Sequence, residues 1–216
     1  MTKFNSTTAI LSDLDGVILD LSYDMKFWTD WLPNTLALET GKSSAEVKAD
    51  IKSMMSDQEA SLNWYDLNYW DELLGIDSLE IIKNQEERCS FLKGSEDALK
   101  KIASLGNPKY ILTNGDPRLF DFKSESANFL DYFDSHICSM HLGYAKEQKE
   151  FWALAGQYLK VNLKNSIFID DNFKVVTSAV NAGVGQVYWI NPGRQKTLAN
   201  GVMTYPTLAE LVDAII

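Results

Sequence analysis

The sequence predicts an α/β fold in which a doubly wound parallel sheet is interrupted by a block of helices. Three short apolar runs end in polar side chains, at residues 9–15, 110–115 and 166–172. Helical patterns separate the later runs, and strands that alternate with helices are typical of a parallel sheet. Residues 22–89 show only helical spacing and are rich in aromatic residues. The chain is therefore predicted to form a sheet core with one helical insertion.

The individual elements follow from local signals along the chain. The first strand is expected at residues 8–14, and the insertion begins with apolar residues at helical spacing from Phe27 until Pro33 breaks the helix. Ser44 is the predicted N-cap of the next helix. After the insertion, strands are expected near 110–113, 137–139, 167–170 and 186–190, with helices near 95–106, 147–159 and 173–182 and a last one from 206. The predicted core is thus residues 1–20 and 92–216, and the predicted helical insertion is residues 21–91.

Composition and charge argue against several classes of function. The formal net charge is −10 and no basic stripe runs along the chain, which argues against nucleic-acid binding. No apolar run is long enough to span a membrane, and the N-terminus lacks the apolar segment of a signal peptide. Two cysteines, Cys89 and Cys138, lie far apart, so we expect a reduced, cytoplasmic protein. The sequence leaves the oligomeric state open.

The first apolar run ends in two carboxylates. Side chains alternate along a strand, so Asp13 and Asp15 point the same way at its carboxyl end, and Gly16 follows directly. Two acids on one face repel each other unless a cation lies between them or one of them is protonated. The pair therefore indicates a site for a hard metal ion, or an acid and a nucleophile with separate roles. An acidic turn is the alternative for this motif taken alone.

The later strand ends carry further polar groups. Thr113 and Asn114 follow one strand, Asp170 and Asp171 follow another, and Lys146 precedes the helical pattern between them. Ligands of open parallel sheets bind beyond the carboxyl ends of the strands. We therefore expect these five residues to lie close to the first motif.

In order and spacing, these segments resemble the haloacid dehalogenase-like hydrolases, a superfamily made mostly of phosphatases. The motifs that carry the resemblance are residues 13–17, Thr113 with Asn114, Lys146, and Asp170 with Asp171. The resemblance implies a Rossmann-like core with a helical cap inserted after the first motif. Two departures stand out. Glu147 follows the lysine where the family usually has proline, and Val175 and Val176 occupy a stretch that often carries an acid or amide.

The resemblance also implies a role for each motif residue. Asp13 is the nucleophile that forms an aspartyl-phosphate, and Asp15 is the acid and base for the leaving alcohol and the attacking water. Thr113 and Asn114 bind phosphate oxygens. Lys146 neutralises phosphate charge and steadies the nucleophile.

The cofactor implied by the resemblance is Mg²⁺. Its ligands would be the Asp13 carboxylate, the Asp15 backbone carbonyl and Asp171, with Asp170 bound directly or through water. Dehalogenases of the superfamily lack an acid at the position of Asp15 and work without metal, so these acids favour phosphate chemistry. A sugar-phosphate or phosphoglycolate phosphatase, a phosphomutase and a low-turnover binding module remain open as alternatives.

The helical insertion carries a narrower resemblance. Residues 19–28 and 62–70 are similar to bacterial GMP/IMP 5′-nucleotidases of the superfamily. This implies a small-molecule phosphate monoester as substrate, a purine nucleotide, with Tyr23, Asn63 and Trp64 as candidate substrate-binding residues. Aromatic rings of the insertion could stack a nucleobase. The same rings lie at helical spacing, and for any single ring this spacing favours a place in the packed helical core over contact with a base.

Overall fold

A single sheet runs through the computed structural model, which describes residues 8–59, 61–193, 197–199 and 202–216. Its strands are β1 (Ile10–Ser12), β2 (Lys109–Thr113), β3 (Ser135–Cys138), β4 (Ile167–Asp170), β5 (Gln186–Ile190), β6 (Thr197–Ala199) and β7 (Val202–Tyr205). They are ordered β3-β2-β1-β4-β5-β7-β6. Six strands are parallel, and the edge strand β6 pairs antiparallel with β7. The first strand of the chain therefore lies inside the sheet, between β2 and β4.

Helices fill the connections between these strands. The α-helices are α1 (Ser22–Lys26), α2 (Leu32–Thr40), α3 (Ser44–Asp57), α4 (Leu67–Leu74), α5 (Ser78–Lys83), α6 (Ser95–Ala103), α7 (Pro117–Ala127), α8 (Lys149–Leu159), α9 (Phe173–Asn181) and α10 (Leu208–Ile215). Short 3₁₀ helices span Leu62–Trp64, Phe129–Tyr132, Ser139–His141 and Leu163–Asn165. Every helix in the described part of the chain is too short or too polar to cross a membrane.

Apolar side chains cover both faces of the sheet. Ile10 and Leu11 belong to different core clusters, because neighbours in a strand point to opposite faces. Helices α6 and α10 join the first cluster through Leu99 and Leu211, and helix α8 joins the second through Phe151. Helices on both faces of a mainly parallel sheet make a doubly wound α/β fold. The predicted fold class is confirmed.

The segment between β1 and α6 is helical, as the sequence predicts. Residues 22–83 contribute five of the described α-helices and none of the described strands. Helix α2 packs against α3, and the buried side chains of Phe27 and Leu36 join the same cluster as Ile10. The boundaries of the cap, residues 21–91, and of the core, residues 1–20 and 92–216, stay predictions.

Two local expectations within the insertion are wrong. Pro33 does not break the first helix, which continues from α1 through a π-helical turn at Phe27–Trp31 into α2. In that wide turn the Leu32 N–H donates to the Phe27 carbonyl oxygen. Pro33 then lies in the first turn of α2, where a residue without an N–H is tolerated. The N-cap of α3 is Ser43, which exchanges hydrogen bonds with Glu46.

Candidate active site

A cavity of about 390 Å³ opens at the carboxyl ends of β1, β2 and β4. Its lining contains all seven residues that the motifs predict: Asp13, Asp15, Thr113, Asn114, Lys146, Asp170 and Asp171. The parallel register explains why they meet. β1 pairs with β2 on one side and β4 on the other, so residues that end or follow these strands lie at one edge of the sheet.

Lys146 joins two of the carboxylates. Its Nζ lies 2.6 Å from Asp13 Oδ1 and 2.8 Å from Asp170 Oδ2, and it donates to the Leu112 carbonyl oxygen at 2.9 Å. The two acids and the lysine are buried. Burial opposes the charge of the lysine, but the two carboxylates outweigh it and hold the pKa of Lys146 above its ordinary value. The lysine is therefore a fixed cation beside Asp13.

Asp171 completes a cluster of three acids. One carboxylate oxygen from each of Asp13, Asp170 and Asp171 lies within 4.8 Å of the other two. The pKa of Asp13 is raised to about 7, by burial first and also by the charge of Asp170, against the opposing effect of Lys146. Burial and the charge of Asp13 likewise raise the pKa of Asp171 to about 7. A divalent cation held by these oxygens would remove this repulsion, and oxygen donors suit Mg²⁺, so the residues present fit the cofactor.

Gly16 allows the backbone to pass close to the Asp171 carboxylate. The glycine has a φ of +85°, a region that other residues rarely adopt. A Cβ at this position would lie only 2.2 Å from Asp171 Oδ2. The glycine of the first motif therefore lets the chain turn after Asp15 and pass directly beside Asp171.

The end of β2 offers a hydrogen-bond donor to an anion. Thr113 Oγ1 accepts from the Gly115 N–H at 2.9 Å, which leaves the hydroxyl hydrogen for another acceptor. The Asn114 side chain also holds the segment before α8, because its Oδ1 accepts from the Lys146 N–H at 2.9 Å. A hydroxyl donor and a buried lysine thus face the same cavity, as binding of a phosphate group requires.

Glu147 has a role that the sequence reasoning missed. Its Oε2 accepts from Asn114 Nδ2 at 2.9 Å, and its Oε1 accepts from the Tyr65 hydroxyl at 2.7 Å. One carboxylate therefore connects the loop after β2 to the helical insertion. The departure from the usual proline was the available signal, because a charged residue at that position needs partners.

Lys123 was missed as well. Its Nζ lies 2.7 Å from Asp15 Oδ1 and 2.6 Å from Asp24 Oδ2, and its side chain is 3% exposed. Burial opposes its charge, but the two carboxylates outweigh burial and raise the pKa of Lys123. The signal in the sequence was a lysine three residues after the buried Phe120, on the apolar face of α7.

The three candidate substrate-binding residues of the insertion lie in different places. Trp64 lines the cavity, beside Tyr65. Tyr23 is buried, with its ring edge-on to Trp31 at 5.2 Å between centroids. Asn63 is exposed and donates to Gln58 Oε1 at 3.2 Å. The structure thus brings Trp64 to the cavity, and the substrate-binding roles of all three residues stay predictions.

Sequence comparisons with known proteins match most of the chain. A family model described as haloacid dehalogenase-like hydrolase matches residues 7–183. The GMP/IMP nucleotidase YrfG of Escherichia coli (strain K12) is 27% identical over 175 residues, which are 81% of this chain and 79% of the relative.

Solved structures share the fold along nearly the whole chain. A HAD phosphatase from Thermococcus onnurineus superposes with a TM-score of 0.81 at 23% identity, covering 96% of this chain and 97% of its own. The HAD-hydrolase YfnB from Bacillus subtilis, solved bound to magnesium, has a TM-score of 0.65 at 17% identity, covering 98% of this chain and 99% of its own. At these identities the two structures show a common fold.

Proposed function

The chain belongs to the haloacid dehalogenase-like hydrolases, and on that premise we propose that it is a Mg²⁺-dependent phosphatase acting on purine 5′-nucleotides. The family match confirms the prediction of an enzyme, and the nucleotidase and phosphatase relatives support a phosphatase. One observation carries the proposed mechanism. The Oδ1 atom of Asp13 lies 2.6 Å from Lys146 Nζ. Asp13 also lines the same cavity as Asp15, Asp170 and Asp171.

The first step transfers the phosphoryl group to the enzyme. A carboxylate oxygen of Asp13 attacks phosphorus, and the bond from phosphorus to the ester oxygen breaks. Protonated Asp15 gives its proton to the departing oxygen, so that an alcohol leaves. Lys146 keeps the nucleophile oriented and adds positive charge beside the phosphate.

The second step returns the enzyme to its starting state. A water molecule attacks phosphorus, the bond from phosphorus to the Asp13 oxygen breaks, and Asp15 takes the proton of the water. The sum is monoester plus water giving alcohol plus inorganic phosphate, with both aspartates regenerated. General acid–base help of this kind contributes about two to four orders of magnitude in rate.

Positive charge and hydrogen bonds would hold the substrate. Asp13, Asp170 and Asp171, with the backbone carbonyl of Asp15, would bind Mg²⁺. When bound, the cation offsets the repulsion between the attacking carboxylate and the phosphate dianion. The Thr113 hydroxyl and the Asn114 backbone N–H bind phosphate oxygens in this proposal.

The nucleotide part of the proposal rests on the insertion. Trp64 and Tyr65 place two aromatic rings at the cavity, and such rings stack on purines. YrfG, a relative that matches most of the chain, bears the name of a GMP/IMP nucleotidase. We further propose that residues 21–91 act as the cap over the core. The cytoplasmic location and the absence of nucleic-acid binding stay predictions from the sequence.

The test compares kcat/KM for GMP, IMP, AMP, UMP and glucose 6-phosphate at one Mg²⁺ concentration, with Asp13→Asn as the control for contaminating phosphatases. We expect GMP and IMP to exceed AMP, because a site built for a 6-oxo purine leaves groups unpaired on AMP. A kcat/KM for glucose 6-phosphate about tenfold above that for GMP would contradict the nucleotide part and leave a phosphatase or mutase. No turnover of any ester would favour the binding module.

A further inference from the structure

A second buried lysine reaches the other catalytic aspartate. Lys123 lies in the middle of α7, outside every motif, and its Nζ is 2.7 Å from Asp15 Oδ1. The same Nζ is 2.6 Å from Oδ2 of Asp24, which lies on α1. The lysine therefore joins a residue that follows β1 to a residue of the helical insertion.

The cost of burying this lysine argues for more than packing. A buried charge is expensive even when it is paired, and apolar residues of similar volume often stabilise a fold as well or better. Here one cation meets two acids, so it does not neutralise the group when both acids are ionised. Stability alone would favour an apolar side chain beside Phe120 on this face of α7.

The contact also decides how the Asp15 carboxylate is turned. Its Oδ1 is held by Lys123, while its Oδ2 lies on the side of Gly115, 3.8 Å from the point where a Cβ on that glycine would be. Thr113 Oγ1 lies 3.2 Å from the same point. The oxygen not bound to the lysine thus lies close to Gly115, just after the end of β2, where the proposed phosphate site lies.

We propose that Lys123 is a positioning residue that fixes Asp15 with Oδ2 toward the leaving group, and that Asp24 holds Lys123 in place from the insertion. This proposal rests on the proposed acid–base role of Asp15. An acid that donates its proton in the transition state must have one oxygen aimed at the ester oxygen. A lysine that grips the opposite oxygen supplies that aim without touching the substrate.

The test uses the dependence of the first step on the leaving group. Rapid-quench single turnovers measure alcohol release from 4-nitrophenyl phosphate, which leaves without full protonation, and from benzyl phosphate, which does not. The main variant is Lys123→Met with Asp24→Asn, which removes the cation and one acid and so preserves the net charge of the group. The matched control is Lys101→Met with Asp213→Asn, which removes an exposed pair between α6 and α10.

We expect the main variant to slow alcohol release from benzyl phosphate by about 10- to 100-fold and from 4-nitrophenyl phosphate by less than about fivefold. The control pair should slow neither ester. Equal slowing of the two esters, or slowing of neither, would overturn the proposal, because a purely structural role does not distinguish leaving groups. Should the main variant fail to fold, the same two esters are measured with Lys123→Gln, whose amide keeps a donor near Asp15. The expected difference in slowing between the two esters is then smaller.

Asp15→Asn, measured in parallel, distinguishes the acid role of Asp15 from the positioning role of Lys123. If Asp15→Asn slows both esters equally, the acid role of Asp15 in the proposed function fails. If Asp15→Asn shows the leaving-group dependence and the Lys123 variants do not, only the positioning role of Lys123 fails.

Discussion

Two buried lysines contact the two aspartates that we propose to be catalytic, and they do so at nearly identical distances. Lys146 bridges Asp13 and Asp170 at 2.6 and 2.8 Å, and Lys123 bridges Asp15 and Asp24 at 2.7 and 2.6 Å. In both groups one cation meets two acids, and in both the carboxylates raise the lysine pKa against the effect of burial.

The difference lies in the position of the partners along the chain. Both acids bound by Lys146 end or follow strands of the sheet, and Asp171 adds a third carboxylate within reach of a cation. Only one acid bound by Lys123 follows a strand, since Asp24 belongs to α1 of the insertion. The Lys146 group is suited to hold a nucleophile and a metal ion. The geometry of the Lys123 group depends on how α1 packs against the core.

The largest effect that separates the two groups concerns their acids. Asp13→Asn should lower kcat to below about one-hundredth of wild type, because an amide is a poor nucleophile and a poor metal ligand. Asp24→Asn should lower it by less than about tenfold, because Asp24 acts only through Lys123. Steady-state kinetics with 4-nitrophenyl phosphate measures both, and thermal melts by circular dichroism verify folding. Similar losses in the two variants would remove the distinction between nucleophile and anchor.

The second prediction concerns metal and pH at the Lys146 group. The pKa values of Asp13 and Asp171 are raised to about 7 and that of Asp170 to about 6, by burial first. The folded metal-free protein therefore binds more protons than the unfolded chain between about pH 4 and 7, and its stability should fall as pH rises through that window. Mg²⁺ needs the ionised acids, so its stabilising effect should grow over the same window.

Thermal melts at pH 5 and pH 8, each with Mg²⁺ and with a chelator, measure this effect. The Mg²⁺-dependent rise in Tm should be larger at pH 8. Asp171→Ala should abolish most of it, whereas Asp24→Ala should preserve it, because Asp24 lies in the other group. An equal rise at the two pH values would contradict the assignment of these acids as metal ligands.

The comparison also shows how far the sequence could be used to predict the site. Lys146 was predicted because it lies in a short motif before a helix. The segment that precedes α8 brings it to the ends of β1 and β4, where it contacts Asp13 and Asp170. Lys123 has no such motif. Its partners are 108 and 99 residues away in the chain, so the contact depends on how α7 and α1 pack.

Most of the fold could also be predicted from local patterns in the sequence. Alternating strands and helices predicted the parallel sheet, because each strand carries its own apolar pattern. The strands β6 and β7 were not predicted, and neither was the passage of the first helix through Pro33. The π-helical turn at Phe27–Trp31 that accommodates this proline has no local signature in the sequence.

The smallest predicted effect concerns the other contact between insertion and core. Tyr65→Phe removes the hydrogen bond from the hydroxyl to Glu147 Oε1 at 2.7 Å, beside the Lys146 loop rather than beside Lys123. We expect KM for GMP to rise by about three- to tenfold with little change in kcat, since one hydrogen bond to a charged group contributes about 1.5–3 kcal/mol and water replaces part of it. The ratio of the rates of alcohol release from benzyl and 4-nitrophenyl phosphate should keep its wild-type value, because Asp15 is not touched.

Tyr158→Phe, at an exposed tyrosine on α8, is the matched control and should change neither KM nor this ratio. A changed ratio in Tyr65→Phe would mean that any loosening of the insertion disturbs Asp15, and the specific role of Lys123 would then lose its support.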